Sequence, residues 1–385
     1  MTICHVFLTN SYTEGESYQE NILSKYHAML GHRVVMLAAA YAKYGGQYRK
    51  IPTEHYLNAD GVEVFRLTPR RSLLPDYRFN RFPELPSKLE AISPDILFVH
   101  NPQFLDTDVL AGYVKKHPGC TLFVDNHSDF SNSATNWFSR TILHGLIWKR
   151  KARQLLPYTE KFYGVLPARV DFLVDIYGLP REKCELLVMG ADDDLVEKAV
   201  ATNARERIRA KYGISGEDFL IMTGGVINRW KTQTLLLMQA VRDSRIEHLK
   251  LIVFGSFAPE LEAEANKLID GERVRYVGWL KSAQTYDYAA AADLFVFPGR
   301  HSVLWEQVAG QGVPMLVKDW PGTHHVDIGG NVRFLKEDSE EEIRGEIERL
   351  LSHPEEYEAM REAARGNGMR VFSYRNIAER SIRPR

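Results

Sequence analysis

The sequence predicts an α/β protein of two doubly wound domains, each a parallel sheet with helices on both faces. Three observations predict it. The chain has 385 residues, too many for one ordinary core, so two domains are expected. Short, nearly continuous apolar runs alternate with helical stretches, the pattern of parallel strands buried on both faces. The alternation also occurs twice, and "MGADDDL", starting at Met189, breaks it between the two series.

The first series places strands at 3–8, 34–37, 96–99, 122–124, 162–165 and 186–188, with a helix over 18–30. The second places strands at 219–223, 251–254, 274–277, 294–297 and 314–317, separated by helices over 234–242, 259–270 and 282–291. The domains are therefore expected at 1–190 and 191–367. Residues 368–385, with "VFSYRNIAERSI", predict a helix that crosses back to the first domain. No repeat of the 20–50-residue kind and no low-complexity tract is present.

Hydrophobic residues at 44% and charged residues at 26% are those of a globular protein, and a net charge of −1 argues against a nucleic-acid partner. Cys4, Cys120 and Cys184 are far apart and form no CxxC, so neither a disulfide framework nor a zinc cluster is expected. The adjacent His324 and His325 lack further ligands at a useful spacing, and Asp192–Asp194 reads as solvated linker, so no metal is expected. The N-terminal "ICHVFLT" reads as a strand rather than a leader, and no apolar run approaches the roughly 18 residues of a membrane span. A cytoplasmic location is the expectation.

Ligands of open α/β sheets bind beyond the carboxyl ends of strands. In the second domain that rule selects "TGGVINRWK" (223–231), "FGSFAPE" (254–260), "GWLKS" (278–282) and "PGRHSVLWE" (298–306). Gly224 and Gly225 let a backbone approach phosphate, and Arg229 and Lys231 neutralise it. Gly255, Trp279 and Leu280 lie on the next two loops. Ser302 reads as an N-cap, with His301 before it and the amides from Val303 onward facing an anion. Glu306 then falls in the first turns, where a carboxylate takes the hydroxyls of a ribose. These groups on one rim fit a nucleoside diphosphate. The plainer alternatives are a solvated helix carboxylate for Glu306 and surface charge for Arg229 and Lys231.

With these residues the chain resembles the GT-B glycosyltransferases and, within them, the retaining glycosyltransferase family 4. The resemblance spans nearly the whole chain and is strongest over 219–317 and the closing "FSYRNIA". That family carries Gly-Arg-x-x-x-x-Lys after the first strand of its nucleotide-sugar half. It also carries two glutamates eight positions apart before Ala-x-Gly-x-Pro. Lys231 matches the lysine and Glu306 the second glutamate. Two positions depart: Val226 stands where the family has arginine, with Arg229 in the same loop, and Pro298 stands where it has the first glutamate. His301 and Ser302 are then left to meet sugar or phosphate.

The resemblance implies two Rossmann-like domains facing a cleft, with a nucleoside-diphosphate sugar, by family frequency a UDP-sugar, held by the second. It implies no metal and no cofactor, transfer with retention to a saccharide or lipid-linked saccharide, and a place in surface polysaccharide or glycan biosynthesis. The acceptor falls to the first domain. There Gly15 lies in "TNSYTEGESYQEN", His100 and Asn101 in "FVHNP", and Asp125, Asn126, His127 and Asp129 in "VDNHSDFSNS". His127 matches the family histidine beside the reacting sugar, the alternative being a buried structural histidine. Catalytic roles are thus expected of His127, Arg229 and Lys231.

Two segments of the first domain bear on location. The stretch 136–156 mixes Trp137, Phe138, Ile142, Leu146 and Trp148 with Arg140, Lys149, Arg150, Lys151 and Arg153. The stretch 66–82 adds Arg66, Arg70, Arg71, Arg78 and Arg81 among aromatics. Such surfaces suit anionic lipid headgroups, so peripheral contact with the cytoplasmic membrane face is expected; the alternative is the solvated face of an ordinary helix. Two other functions stay open: a nucleotide-sugar epimerase on the same fold, for which no clear acid pair is seen, and a degenerate nucleotide-sugar-binding scaffold. A dehydrogenase is excluded because no Gly-x-Gly-x-x-Gly follows a strand.

Overall fold

The computed structural model describes residues 1–44, 47–70, 72 and 76–384. Two compact units result: Met1–Val188 with Ile377–Arg385, and Met189–Asn376.

The first unit is built on β1 (Thr2–Phe7), β2 (Arg33–Ala39), a separate antiparallel hairpin of β3 (Tyr41–Tyr44) and β4 (Gln47–Lys50), β5 (His55–Leu57), β6 (Glu63–Leu67), β7 (Ile96–His100), β8 (Thr121–Asn126), β9 (Thr159–Gly164) and β10 (Cys184–Leu186). Eight of these form one sheet in the order β10-β9-β8-β7-β1-β2-β6-β5. Its pairings are parallel except β5 on β6. Alternation along each strand assigns the faces. Cys4, Val6, Val35, Leu37, Leu97, Val99, Leu122 and Val124 enter one core, whose helices also contribute Trp148 and Phe172. His5, Phe98, His100, Phe123 and Asp125 therefore point to the opposite face, where Phe7, Val34 and Met36 also pack. The three cysteines are buried thiols.

The second unit is a six-stranded parallel sheet of β11 (Phe219–Ile227), β12 (Leu249–Phe257), β13 (Val274–Tyr276), β14 (Leu294–Phe297), β15 (Met315–Lys318) and β16 (Val332–Leu335). The order β13-β12-β11-β14-β15-β16 reverses direction at β11/β14, which are joined through Ile221↔Leu294 and Met222↔Phe295. That switch point is where a ligand crevice forms in sheets of this kind. It sets the loops after β11 and β14 side by side. The last helix, Tyr374–Ser381, follows.

Some elements differ from the sequence expectation. β6 and β16 were not anticipated, because Glu63, Arg66 and Arg333 interrupt their apolar runs. β10 lies at Cys184–Leu186, two residues before the expected strand.

Candidate active site

In the second unit, Asn228 shapes the loop after β11. Its side-chain oxygen accepts from the Trp230 N–H at 3.0 Å, and its carbonyl accepts from the Lys231 N–H at 2.8 Å. The Arg300 N–H donates to the Trp230 carbonyl at 3.3 Å and ties this loop to the one after β14. The fit is close: a Cβ on Gly299 would stand 2.9 Å from Lys231 Cα. On the other side, a Cβ on Gly225 would stand 3.5 Å from Lys231 Nζ and 3.6 Å from the Leu304 side chain.

Lys231 is thus walled in, and among the described residues no carboxylate pairs with it. Burial, and then the neighbouring Arg300, push its ammonium down to about 8. Arg229 lies 4.9 Å and Arg300 5.5 Å from the ring of Trp230, and Arg300 also lies 5.7 Å from that of Trp320. Arg300 was quoted in the loop but given no role; only the folded loops show it next to Lys231. A half-buried cation without a carboxylate partner, flanked by guanidinium groups, is a site for a polyanion.

Glu306 sits on the seven-residue helix Leu304–Gly310 and is fully buried. Its Oε1 accepts from His301 Nε2 at 2.8 Å and from His325 Nε2 at 2.9 Å. Its Oε2 is buried and has no partner among the described residues, as is true of His325 Nδ1. Burial raises the carboxyl, but His301 and His325 outweigh that and hold it well below the usual carboxylate range. It is an ionised, desolvated acid with one oxygen left over, not a solvated helix carboxylate. The sequence had weighed His325 only with its neighbour as a metal pair. In the fold the two divide, His325 to Glu306 and His324 to Asp319 at 2.6 Å.

Other expected donor-side residues need correction. Ser302 is not the N-cap: Val303 holds that position without a side-chain cap, and the Ser302 carbonyl accepts from the Trp305 N–H at 3.0 Å. Ser302 Oγ is left buried and unpartnered. At Gly224 the missing side chain answers to packing, since a Cβ would come within 2.5 Å of the Phe254 ring. Gly255, at φ +109°, faces the Gly225 carbonyl so closely that a Cβ would sit 1.9 Å from it. Trp279 is exposed and Leu280 buried; among the described residues neither makes a polar or ring contact with Lys231 or Glu306.

In the first unit the register sets His100 beside Asp125 at the ends of β7 and β8. His100 Nδ1 lies 2.7 Å from Asp125 Oδ2, and His127 Nε2 lies 3.4 Å from Asp125 Oδ1. Burial raises the Asp125 carboxyl, but His100 and then His127 outweigh it and hold the group well below its usual range. Asn101, in the left-handed region at φ +68°, donates its N–H to Asp125 Oδ1 at 3.1 Å and accepts the His127 N–H on its side chain at 2.8 Å. A non-glycine residue held at positive φ marks a position that its surroundings over-determine. Three ligand atoms from His100, Asp125 and His127 lie within 4.8 Å of one another. The 2.7 Å contact is nonetheless that of a direct hydrogen bond.

Asn126 and Asp129, expected toward an acceptor, hold the loop instead. The Asn126 side chain is used by Gln103, the Ser128 N–H and carbonyl, and the Arg169 carbonyl. Asp129 accepts from Arg169 Nε at 3.1 Å and from Ser131. Gly15 occupies a turn at φ +75° with open space where a Cβ would stand.

The two basic segments separate. In 66–82, Arg66 is buried and donates to the Tyr12 carbonyl, Arg78 pairs with Asp76, and Arg81 pairs with Asp106 and Asp108. Arg71 lies outside the described residues. Those three guanidinium groups are committed to protein partners, whereas the Arg70 side chain is exposed and, among the described residues, only its backbone is paired, with Arg81. In 136–156, Trp148 belongs to the core, but Trp137, Phe138 and Leu146 are 73%, 55% and 61% exposed. A depression of about 420 Å³ is lined by Leu146, Lys149, Arg150 and Arg153.

Comparison with known proteins bears on the fold and on the second unit. Residues 204–367 match the family described as glycosyl transferases group 1. No curated protein matches the chain. A glycosyltransferase from Rickettsia africae is similar in structure at a TM-score of 0.67, 12% identity and coverage of 98% of this chain and 96% of that one. HepE from Anabaena, in complex with UDP, is similar at 0.67 and 16% identity, over 99% and 98%. A UDP-GlcNAc 2-epimerase from Neisseria meningitidis, bound to UDP-GlcNAc, is similar at 0.63 and 13% identity, over 98% of each chain. At these identities the likeness establishes two Rossmann-like sheets of the GT-B kind. Residues 204–367, within the second unit, thus match the glycosyl transferases group 1 family, on a chain whose fold is that of the GT-B proteins.

Proposed function

We propose that the chain transfers a sugar from a UDP-sugar to a saccharide or lipid-linked saccharide, with retention at the anomeric carbon and without a metal or other cofactor. The observation that carries the donor half is Lys231, a half-buried ammonium with no carboxylate partner among the described residues, lying against Gly225 and next to Arg300. In this reading the diphosphate lies on Lys231, Arg229 and Arg300. The ribose hydroxyls donate to Glu306 Oε2, the oxygen that the two histidines leave over. UDP as the nucleotide is supported by the UDP and UDP-GlcNAc complexes of the structurally similar proteins.

The bond between the anomeric carbon and the diphosphate oxygen breaks as the acceptor oxygen bonds to the same face. The acceptor proton passes to the departing diphosphate. Fixed cations stabilise the charge that gathers there, usually the largest catalytic term. His127 stands beside the reacting sugar in the first unit, and His301, hydrogen-bonded to Glu306, faces the donor.

We also assign the lipid-facing surface to Trp137, Phe138 and Leu146 with Lys149, Arg150 and Arg153, because exposed apolar side chains on the same segment as cations suit an anionic interface, and Leu146 lines one depression with the three cations. Among the described residues no helix is long and apolar enough to cross a membrane. That surface would hold the protein peripherally, on the cytoplasmic face.

A second reading has one specific support, the structural likeness to UDP-GlcNAc 2-epimerase. Product analysis separates the two. The protein is incubated with UDP-glucose or UDP-GlcNAc, alone and with a mixed lipid and oligosaccharide acceptor extract. A transferase releases UDP, faster when acceptor is added. An epimerase changes the sugar with the nucleotide sugar intact. Binding with neither product marks a scaffold and refutes both.

A further inference from the structure

Four side chains of the first unit form one unbroken hydrogen-bonded line that ends at Asp125, and the donor reading makes no use of it. His27, in the helix Gln19–Met29, has Nδ1 3.0 Å from His5 Nε2. His5 Nδ1 lies 2.9 Å from His100 Nε2. His100 Nδ1 lies 2.7 Å from Asp125 Oδ2, and His127 follows on the other carboxylate oxygen. At the far end, His27 Nε2 is 3.0 Å from Ser381 Oγ and 3.2 Å from the Ala378 carbonyl. His5, His27 and Asp125 are 0% exposed and His100 1%. Phe98 packs 5.4 Å from the His5 ring and 5.1 Å from the His100 ring.

The chemistry of this line allows little freedom. An ionised carboxylate only accepts, so His100 Nδ1 carries a hydrogen. A neutral His100 then accepts at Nε2, so His5 donates from Nδ1 and accepts at Nε2. His27 in turn donates from Nδ1; at its Nε2 the Ser381 hydroxyl can donate whereas the Ala378 carbonyl only accepts, so the direction of the line is set from the Asp125 end. Followed from Asp125, each ring takes the Nδ1–H tautomer, and the hydrogen bonds between the rings point toward Asp125. Burial holds His5 and His27 neutral, the latter pushed down to about 3. Such a chain polarises along its length in a dry interior.

Resting on the reading that His127 stands at the reacting sugar, we infer that His5 and His27 are positioning residues. His5 holds His100 at Nε2 and so keeps its Nδ1 on Asp125 Oδ2, which leaves Oδ1 to His127, so that His127 donates from Nε2 and turns Nδ1, as an acceptor, toward substrate. Among the described residues no protein group hydrogen-bonds to His127 Nδ1. The same line reaches the C-terminal helix through Ala378 and Ser381. Glu20, buried in the first turn of Gln19–Met29, and His32 are the other titratable groups acting on it.

The test labels the protein with ¹⁵N-histidine and reads ring tautomers by NMR at pH 7, in wild type, His5→Phe and His5→Asn. Phe fills the space without a donor; Asn keeps an N–H where Nδ1 was. UDP release from UDP-glucose in water is the paired readout. We expect Nδ1–H tautomers for His5, His27 and His100 and Nε2–H for His127 in wild type. His5→Phe should mix the His100 and His127 tautomers and lower kcat by about tenfold or more at unchanged KM, as outer-shell losses do, while His5→Asn restores both. Wild-type tautomers at His100 and His127 in folded His5→Phe overturn the inference, as does equal loss in both variants. If the tautomers respond but His127→Ala leaves UDP release unchanged, the functional reading fails and the line stands.

Discussion

Lys231 makes donor binding depend on pH in a way that can be worked out beforehand. In the free protein its ammonium is pushed from 10.5 to about 8, by burial and then by Arg300. A diphosphate seated on it restores the charged form and brings the value back toward 10.5 or above. Between those two values binding takes up a proton. UDP affinity should therefore be nearly flat near pH 7 and fall about tenfold per pH unit above 8, about 3 kcal/mol over the whole interval. The stability sign agrees. From 8 to 10.5 the unfolded chain binds more protons than the free fold, so the free protein gains stability as pH rises. The UDP complex has no such gain, and the difference in melting temperature between the two closes. Titration calorimetry at pH 7 and pH 9, in buffers of differing ionisation enthalpy, reads both affinity and proton uptake. Uracil loses its own proton in the alkaline range, so Lys231→Met is run in parallel. It should bind UDP about 10- to 100-fold more weakly at pH 7, the loss of a charged hydrogen bond, and show no lysine-linked uptake. Equal profiles for the two proteins would refute the placement of phosphate on Lys231.

Other outcomes follow from the same coordinates. Glu306→Gln keeps the shape but gives His301 and His325 a neutral acceptor; UDP binding should weaken about tenfold or more, and calorimetry showing unchanged affinity removes Glu306 from the ribose site. His27 and His144 are held down to about 3 and about 4, and the unfolded chain protonates them near 6.5. Each should cost about 1.4 kcal/mol of stability per pH unit as pH falls below 6.5, before Asp125 titrates, and urea melts at pH 7, 6 and 5 would show it. A flat stability would mean that water reaches these rings. For the lipid surface, Trp137→Ala with Arg150→Glu should abolish salt-sensitive sedimentation with phosphatidylglycerol vesicles; sedimentation that high salt leaves untouched contradicts it.

Much of the fold was legible because buried parallel strands are written as unbroken apolar runs. Leu294–Phe297 needed no more than its four residues. Strands whose outer positions carry charge were not: Glu63 and Arg66 hide β6, and Arg333 hides β16. The site was legible in its loops and not in its pairings. Sequence spacing brought out Lys231 and Glu306, because the loops after β11 and β14 sit at the switch point. It could not join Glu306 to His325, 19 residues away, or Lys231 to Arg300, since those contacts arise when separate loops pack. His5 carried a weak signal, one polar residue in an apolar strand, but its partners at His27 and His100 are supplied by the fold alone. Ser302 misled for a local reason: the helix starts one residue later than its hydroxyl would need.

The proposed donor site of the second unit has Val226 and Pro298 at two positions of the family pattern, so nucleotide binding is the first thing to test. The most direct measurement is the melting temperature of the purified protein against UDP, GDP, ADP, dTDP and UDP-glucose at pH 7. A ligand at a hundred times its Kd stabilises by about 2.7 kcal/mol. A clear rise is expected with UDP and UDP-glucose, cut to about half or less in Lys231→Met and Glu306→Gln at the same concentration. No rise with any nucleotide, or an equal rise in both variants, would contradict it.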